Sequence, residues 1–425
     1  MPTPSPAPLV ALAPAVDGLV PALALLALLV TAYRHPRARV EAAVGLLAAA
    51  VVLATGVLDT GEVIDVLGGL APVVAFLCAI LVVADVCARA GVFTAAADRV
   101  VRASRGRPVR LLTGVFLLAA LVTTVLSLDA TVVLLAPVVV GAAVALGVPT
   151  RPGAQACVRM ANSASLLLPV SNLTTLLAMP YLDLTFAGFA RAMAPVLAAV
   201  LVVEYVVLRV LHRADLAVPA SRAPRPTPGR LPVVPVTALA LMLVGFAALS
   251  PFGVEPAWVA GVTAVVLVLW AWRRGYGGPH RALHAAHPAF ALFVLCLGIV
   301  VEAVSEGAMV GEVRDLLPSS ATSFAALLGV AVLATVLANL LTNLSATLLL
   351  VPLVAPLGTT AVLAALVGLN VGAGLTYTGS LANLLWRRSL VRQGQDPGLA
   401  DFHRLSLVAT PLAVVAAVGM LALTA

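Results

Sequence analysis

The chain has no lysine, and charged residues of both signs make up only 10% of its 425 positions. A water-soluble chain is about a quarter charged, so a soluble globular domain is excluded. Regular apolar–polar alternation is also missing. A membrane β-barrel would show alternating segments of about 10 residues, and the runs of Ala, Leu and Val here do not alternate. Cysteine is scarce: Cys78, Cys87, Cys157 and Cys296 stand apart, with no CxxC pair and no histidine cluster at zinc spacing, which argues against a disulfide framework or a metal centre. No GxxxxGK[ST] phosphate loop occurs. No HExxH, paired catalytic acids or Ser/His arrangement is evident, and the six histidines lie in or beside loops. An enzyme or a single-chain nucleotide-driven pump therefore finds no support.

What is present is apolar. Hydrophobic residues reach 62%, mean hydropathy is +1.11, and several runs exceed the roughly 20 residues that span a bilayer core. The fold class expected is an all-α polytopic membrane protein. The net charge of +7 comes from 25 arginines against 18 acids. These arginines cluster between apolar runs, so they read as the positive-inside signal of a membrane protein and not as a nucleic-acid surface. No arginine is expected at membrane depth. The opening MPTPSPAPLVALAPAVDGLV lacks a basic n-region, so the first run is expected to persist as a helix.

Arginine-rich connections orient the spans. Arg34, Arg37 and Arg39, and later Arg89, Arg99, Arg102, Arg105, Arg107 and Arg110, mark cytoplasmic loops; the surroundings of Asp59, Asp183 and Glu255 read as external. Between Arg110 and Arg151 lie two legs of about 16 residues joined by Ser127, Leu128 and Asp129. At 1.5 Å per residue each leg reaches only ~24 Å. Legs that short, with an aspartate at the tip, favour a re-entrant hairpin, since charge and irregular backbone survive at depth only where protein or water surrounds them. A second such hairpin breaks at Thr342 and Asn343 and has no arginine at its ends, so it is expected to enter from the outside.

The two hairpins head an internal repeat. LSLDATVVLLAPVV resembles LTNLSATLLLVPLV, AFLCAILVVADVCARAG resembles FVLCLGIVVEAVSEG, and each hairpin is followed by a polar break in a long helix. Opposite hairpin directions make this an inverted repeat, a common build of secondary transporters. The expected layout is an N-terminal helix (1–39), a first repeat (40–211) with an inner hairpin at about 110–150, and a Pro- and Arg-rich cytoplasmic linker (212–230). A connecting helix (231–253) and a second repeat (254–425) with an outer hairpin at about 320–359 complete about ten transmembrane helices plus two re-entrant hairpins.

Asp129 is the acid singled out for proton or ion coupling, the alternatives being that it caps the second leg or that it does not lie at membrane depth. Asp85, Glu204, Glu302 and Glu306 are weaker candidates, each placed near enough to a helix end to reach the interface. Asn162, Ser163, Ser165, Ser171, Asn172, Thr174 and Thr175 in the first break are too dense for a lipid-facing helix. So are Asn370, Thr376, Thr378, Gly379, Ser380 and Asn383 in the second, where Gly372 and Gly374 would also admit close backbone approach. With Thr342 and Asn343, these residues other than Ser163, Thr175, Gly372 and Gly374 are the candidate solute ligands; the alternative is interhelical hydrogen bonding.

At these residues the chain resembles a known family. LDATVVLLAP, ANSASLLLPVSNLTTLL, LTNLSATLLLVP and the segment from Asn370 to Trp386 are similar to signature segments of the arsenical pump membrane subunit family, a branch of the ion transporter superfamily. It departs from that pattern at Leu128, at Thr342-Asn343 and at Tyr377, where the family usually carries an asparagine, paired asparagines and a proline. The resemblance implies the ion-transporter-superfamily fold and proton-driven efflux of arsenite or antimonite from a prokaryotic cell across its plasma membrane. It also implies a homodimer, a separate cytoplasmic ATPase in some members, and no cofactor. An uncharged metalloid trihydroxide suits hydroxyl and amide partners. Thiolates bind As(III) tightly, but a carrier must release its cargo, so Cys78 and Cys296 need not be ligands. A carrier of an organic or inorganic anion in the same superfamily is the alternative.

Overall fold

The computed structural model describes residues 13–34, 38–221, 229–306 and 309–424. The chain is all-helical across them, with no strand. In order the helices are α1 (Ala13–Arg34), α2 (Ala38–Thr55), α3 (Thr60–Arg89), α4 (Val92–Ser104), α5 (Pro108–Val125), α6 (Ala136–Leu146) and α7 (Arg151–Ser163). Then come α8 (Leu173–Ala178), α9 (Phe186–Leu211), α10 (Val233–Leu249), α11 (Pro256–Arg273), α12 (Pro279–Ala285), α13 (Pro288–Ser305) and α14 (Met309–Asp315). The chain ends with α15 (Phe324–Leu341), α16 (Asn343–Val354), α17 (Thr359–Asn370), α18 (Leu381–Val391) and α19 (Leu399–Thr424). Eight helices among the described residues are long and apolar enough to cross a membrane, and shorter apolar helices cover Gly18–Ala32, Ala130–Leu146, Asn343–Leu357 and Thr359–Gly374. The chain is a polytopic helical membrane protein.

The described residues fall into two compact units. One is built from the chain up to Val74 with Ala289–Leu317, the other from Ala75–Pro288 with Pro318–Ala425. In the first, α1 packs along α2, and a Cβ at Gly45 of α2 would touch the Cys296 Cβ at 3.4 Å, so glycine lets α2 approach α13. Glu62, Glu302 and Glu306 belong to this unit.

The second unit holds both helix–break–helix pairs. The first is interrupted at Leu126 and Ser127, and Ala130–Leu135 continues as a π-helix before α6; π-turns are rare and concentrate at functional sites. The second breaks at Thr342, whose φ of 72° and ψ of 153° lie in a region that disfavours β-branched residues. Around them pack α7, α9 and α19, with α9 lying along α19 and α15 along α17. Of the expected linker, residues 222–228 lie outside the described residues, as do 1–12 and 35–37 of the expected N-terminal segment. Just before residues 222–228, Ser221 donates from both N and Oγ to the Leu146 carbonyl at the end of α6.

Candidate functional site

Two long helices of the second unit lose their regular winding in matching places. After α7, residues 164–172 pass through two short 3-10 turns, and the chain resumes as α8 with Asn172 as N-cap. After α17 the chain unwinds, and it resumes as α18 with Ser380 as N-cap. The caps share one backbone conformation, φ −147° and ψ 141° at Asn172 against −142° and 140° at Ser380, and each accepts from the backbone N–H two residues on. Each also follows ten residues after an asparagine, Asn162 and Asn370. Extended caps of this kind are what Asn and Ser favour, because the side-chain oxygen replaces the missing helical acceptor.

The unwound segments meet through amides. Asn162 Nδ2 donates to Asn383 Oδ1 at 2.8 Å, and Asn172 Nδ2 to Asn370 Oδ1 at 2.5 Å, joining residues 221 and 198 positions apart. Thr174 Oγ1 donates to Asn370 Oδ1 at 2.7 Å, and Asn370 Nδ2 to Thr175 Oγ1 at 3.4 Å. Ser165 Oγ accepts from Asn172 and donates to the Asn162 carbonyl. Asn383 Nδ2 reaches the carbonyls of Ala373 and Thr376 at 3.0 and 2.8 Å. Asn162, Ser165, Asn172, Thr174, Asn370 and Asn383 are all buried, so the amides satisfy one another where water is excluded.

The rest of the candidate set gathers around Asn339, which the sequence did not single out. Its Oδ1 accepts from Thr376 N and Thr376 Oγ1 at 3.0 and 2.7 Å, its Nδ2 donates to the Gly372 carbonyl at 3.0 Å, and Thr378 Oγ1 donates to its carbonyl at 3.2 Å. A Cβ at Gly379 would collide with the Ala373 carbonyl and with Asn339 Oδ1, which explains glycine there. Asn343 N donates to the Gly379 carbonyl at 2.9 Å, fastening the second hairpin's turn to the second break. Thr342 Oγ1 meets only Ser345 Oγ, at 3.4 Å. On the first side, Ser171 Oγ donates to the Thr124 carbonyl at 2.7 Å, and Thr124 Oγ1 to the Ala164 carbonyl at 3.2 Å.

Asp129 stands at the head of the π-turn, which packs against α4, α5, α7 and α18. The capping alternative is not what the structure contains. Its backbone is helical, it makes no cap bond, and Ser127 Oγ accepts from Ala130 N in its place. Its Oδ1 is enclosed and has no hydrogen-bond partner.

Two expectations are corrected. Arg159, in the middle of α7, is 1% exposed, so an arginine does lie in the protein interior. Glu204 does not reach an interface; it is fully buried and binds Arg159 through both oxygens, with Nε to Oε2 at 2.9 Å. The remaining Arg159 bonds run from Nη1 to the Gly374 carbonyl at 3.0 Å and to Thr410 Oγ1 at 2.9 Å, while Ser163 Oγ donates to Glu204 Oε1 at 3.0 Å. Partners on α9 and α19 hold this arginine away from solvent, and RPGAQACVRMANS alone does not reveal them. Asp85 is paired with Arg89 at 2.6 Å. Among the described residues no three His, Cys, Asp or Glu side chains gather as a metal site would, and the four cysteines are unpaired.

Comparison with known proteins agrees with this architecture. The chain is 28% identical over 384 residues to an arsenical pump membrane protein of Escherichia coli strain K12, covering 86% of this chain and 89% of that one. Against an arsenical pump membrane protein of Yersinia enterocolitica it is 27% identical over 383 residues, covering 85% and 88%. The crystal structure of the YdaH transporter of Alcanivorax borkumensis has a similar fold, with a TM-score of 0.56 and 17% identity over 86% of this chain and 89% of that one. The citrate transporter (CitMHS) family model matches residues 26–367, both hairpins and the first break included, and the chain belongs to that family of membrane transporters.

Proposed function

We propose that this chain is a secondary transporter that exports trivalent metalloid, arsenite or antimonite, in exchange for protons by alternating access. Asp129 carries the proton in this scheme, and the amides and hydroxyls of the two breaks carry the solute. What supports the reading above all is the buried network of Asn162, Asn172, Asn370 and Asn383. It is rich in neutral donors and acceptors, and the fully buried arginine of the described residues is already paired. An uncharged trihydroxide offers the same groups and can exchange hydrogen bonds with these amides without a counter-charge. The enclosed, unpartnered Asp129 oxygen is free to take a proton on one side of the membrane and release it on the other. The matched caps support two repeats, which in this reading are inverted in the membrane, with hairpins entering from opposite sides. A prokaryotic plasma membrane accords with the bacterial relatives, and the chain works as a homodimer in this reading.

The family's name favours a second reading, a carrier of a citrate-like carboxylate. Accumulation of mass-detected arsenite in an exporter-deficient bacterium separates the two. Cells making this chain should hold several-fold less arsenite than cells without it; equal accumulation, with the protein present in the membrane, sinks the metalloid reading. Cysteines placed at Ala103 and Gly253 should label from opposite sides of the membrane, and labelling of both from one side would break the inverted-repeat layout.

A further inference from the structure

We infer that Glu204 sets the charge class of the transported solute, holding Arg159 in a two-pronged ion pair that closes the polar centre to anions. The inference rests on the proposed metalloid reading and deepens it.

Ion pairs are a poor way to stabilise a protein interior, because desolvating two charges offsets much of their attraction, and a well-packed apolar pair often serves as well. A buried pair in a membrane helix bundle therefore calls for a role beyond stability. Arg159 and Glu204 are 2% and 0% exposed at the side chain. The pair is also closely held: both carboxylate oxygens are bound by the guanidinium, one accepts from Ser163 as well, and Nη1 is spent on Gly374 and Thr410. What neighbouring groups feel is a dipole and no net charge.

The pair lies one peptide from the amide network. Arg159 holds the carbonyl of Gly374, and the preceding carbonyl, that of Ala373, accepts from Asn383, which in turn accepts from Asn162. A Cβ at Gly374 would press on Arg159 Nη1 at 2.8 Å, so glycine there keeps room for the guanidinium. Among the described residues Arg159 is the fully buried arginine, and hence the cation best placed to meet a carboxylate or oxyanion. Guanidinium cannot shed its charge in a protein, so neutrality at this point depends on Glu204. Glu204→Gln removes the negative charge while keeping the side chain's size, and it leaves a forked cation beside the solute path, the geometry that binds carboxylates best.

The test measures arsenite exchange at zero gradient in everted vesicles, with citrate as the anion probe. Wild type should exchange arsenite at a rate citrate does not change. Glu204→Gln should become at least tenfold more sensitive to citrate, while Glu204→Asp, which keeps the charge, should behave as wild type. The double variant Arg159→Gln/Glu204→Gln carries neither charge and should exchange arsenite without sensitivity to citrate. Should Glu204→Gln fail to reach the membrane, the double variant decides: retained, citrate-insensitive exchange supports a charge role, and lost exchange in inserted protein assigns the pair to scaffolding and overturns the inference. Arsenite exchange by Glu204→Gln that citrate leaves untouched overturns it as well. Wild-type vesicles that move citrate and not arsenite overturn the metalloid reading itself, a result distinct from either.

Discussion

In the second half of the chain the turn between α15 and α16 is tied down: Asn343 donates to the Gly379 carbonyl, and Asn339, one turn earlier, gathers Thr376 and Thr378. The corresponding turn in the first half carries an acid with an enclosed, unpartnered oxygen and leads into a π-turn. The helix caps beyond the two turns share one conformation. Like scaffolds thus hold unlike tips. Under the proposed function the second half is the fixed frame for the solute, and the first half holds the group that changes charge.

The comparison breaks most severely at the amide where the halves join. Asn370→Ala removes the acceptor for Asn172 and Thr174 and the donor to Thr175. Orphaned buried partners cost ~1–3 kcal/mol each, so a loss of about 3 kcal/mol is expected, read as a lower unfolding temperature in detergent with arsenite flux abolished. An unchanged unfolding temperature would mean that the halves do not depend on this joint. The two caps come next. Ser380→Ala loses a cap worth ~1 kcal/mol, whereas Asn172→Ala also loses its bonds to Asn370 and Ser165 and should cost roughly twice as much. Equal losses would show that the first cap does not bear the cross-half bond. The smallest effect belongs to the strained turn. Thr342→Gly removes a β-branched residue from φ 72° and should raise stability by about 1 kcal/mol; destabilisation would show that the Thr342 hydroxyl matters more than the strain.

Much of this architecture was legible in the chain. Hydropathy marked the spans, because a membrane span must be apolar along its length. Polar interruptions at Ser127–Asp129, Thr342-Asn343, Ser171-Asn172 and Gly379-Ser380 marked the helix breaks, since only irregular backbone needs such residues there. The partners were not legible. Nothing local links Asn162 to Asn383 or Asn172 to Asn370 across some 200 positions. Asn339 sits as a lone amide in an apolar leg, where it reads as an ordinary interhelical contact. Arg159 was not singled out, because its counter-charge lies 45 positions away on another helix. A glutamate in EYVVLRVL opposite an arginine in ACVRMANS is the one signal that would have found the pair, and it takes the fold to bring them together. The π-turn after Asp129 has no sequence signature at all.

The most direct test of the central claim is proton-driven arsenite uptake into everted vesicles by Asp129→Asn, set beside exchange at zero gradient in the same vesicles. Asparagine keeps the size of the side chain and cannot titrate. Exchange should persist within about twofold of wild type while uptake driven by the gradient is lost. Wild-type driven uptake by Asp129→Asn would contradict that claim and remove Asp129 from the coupling.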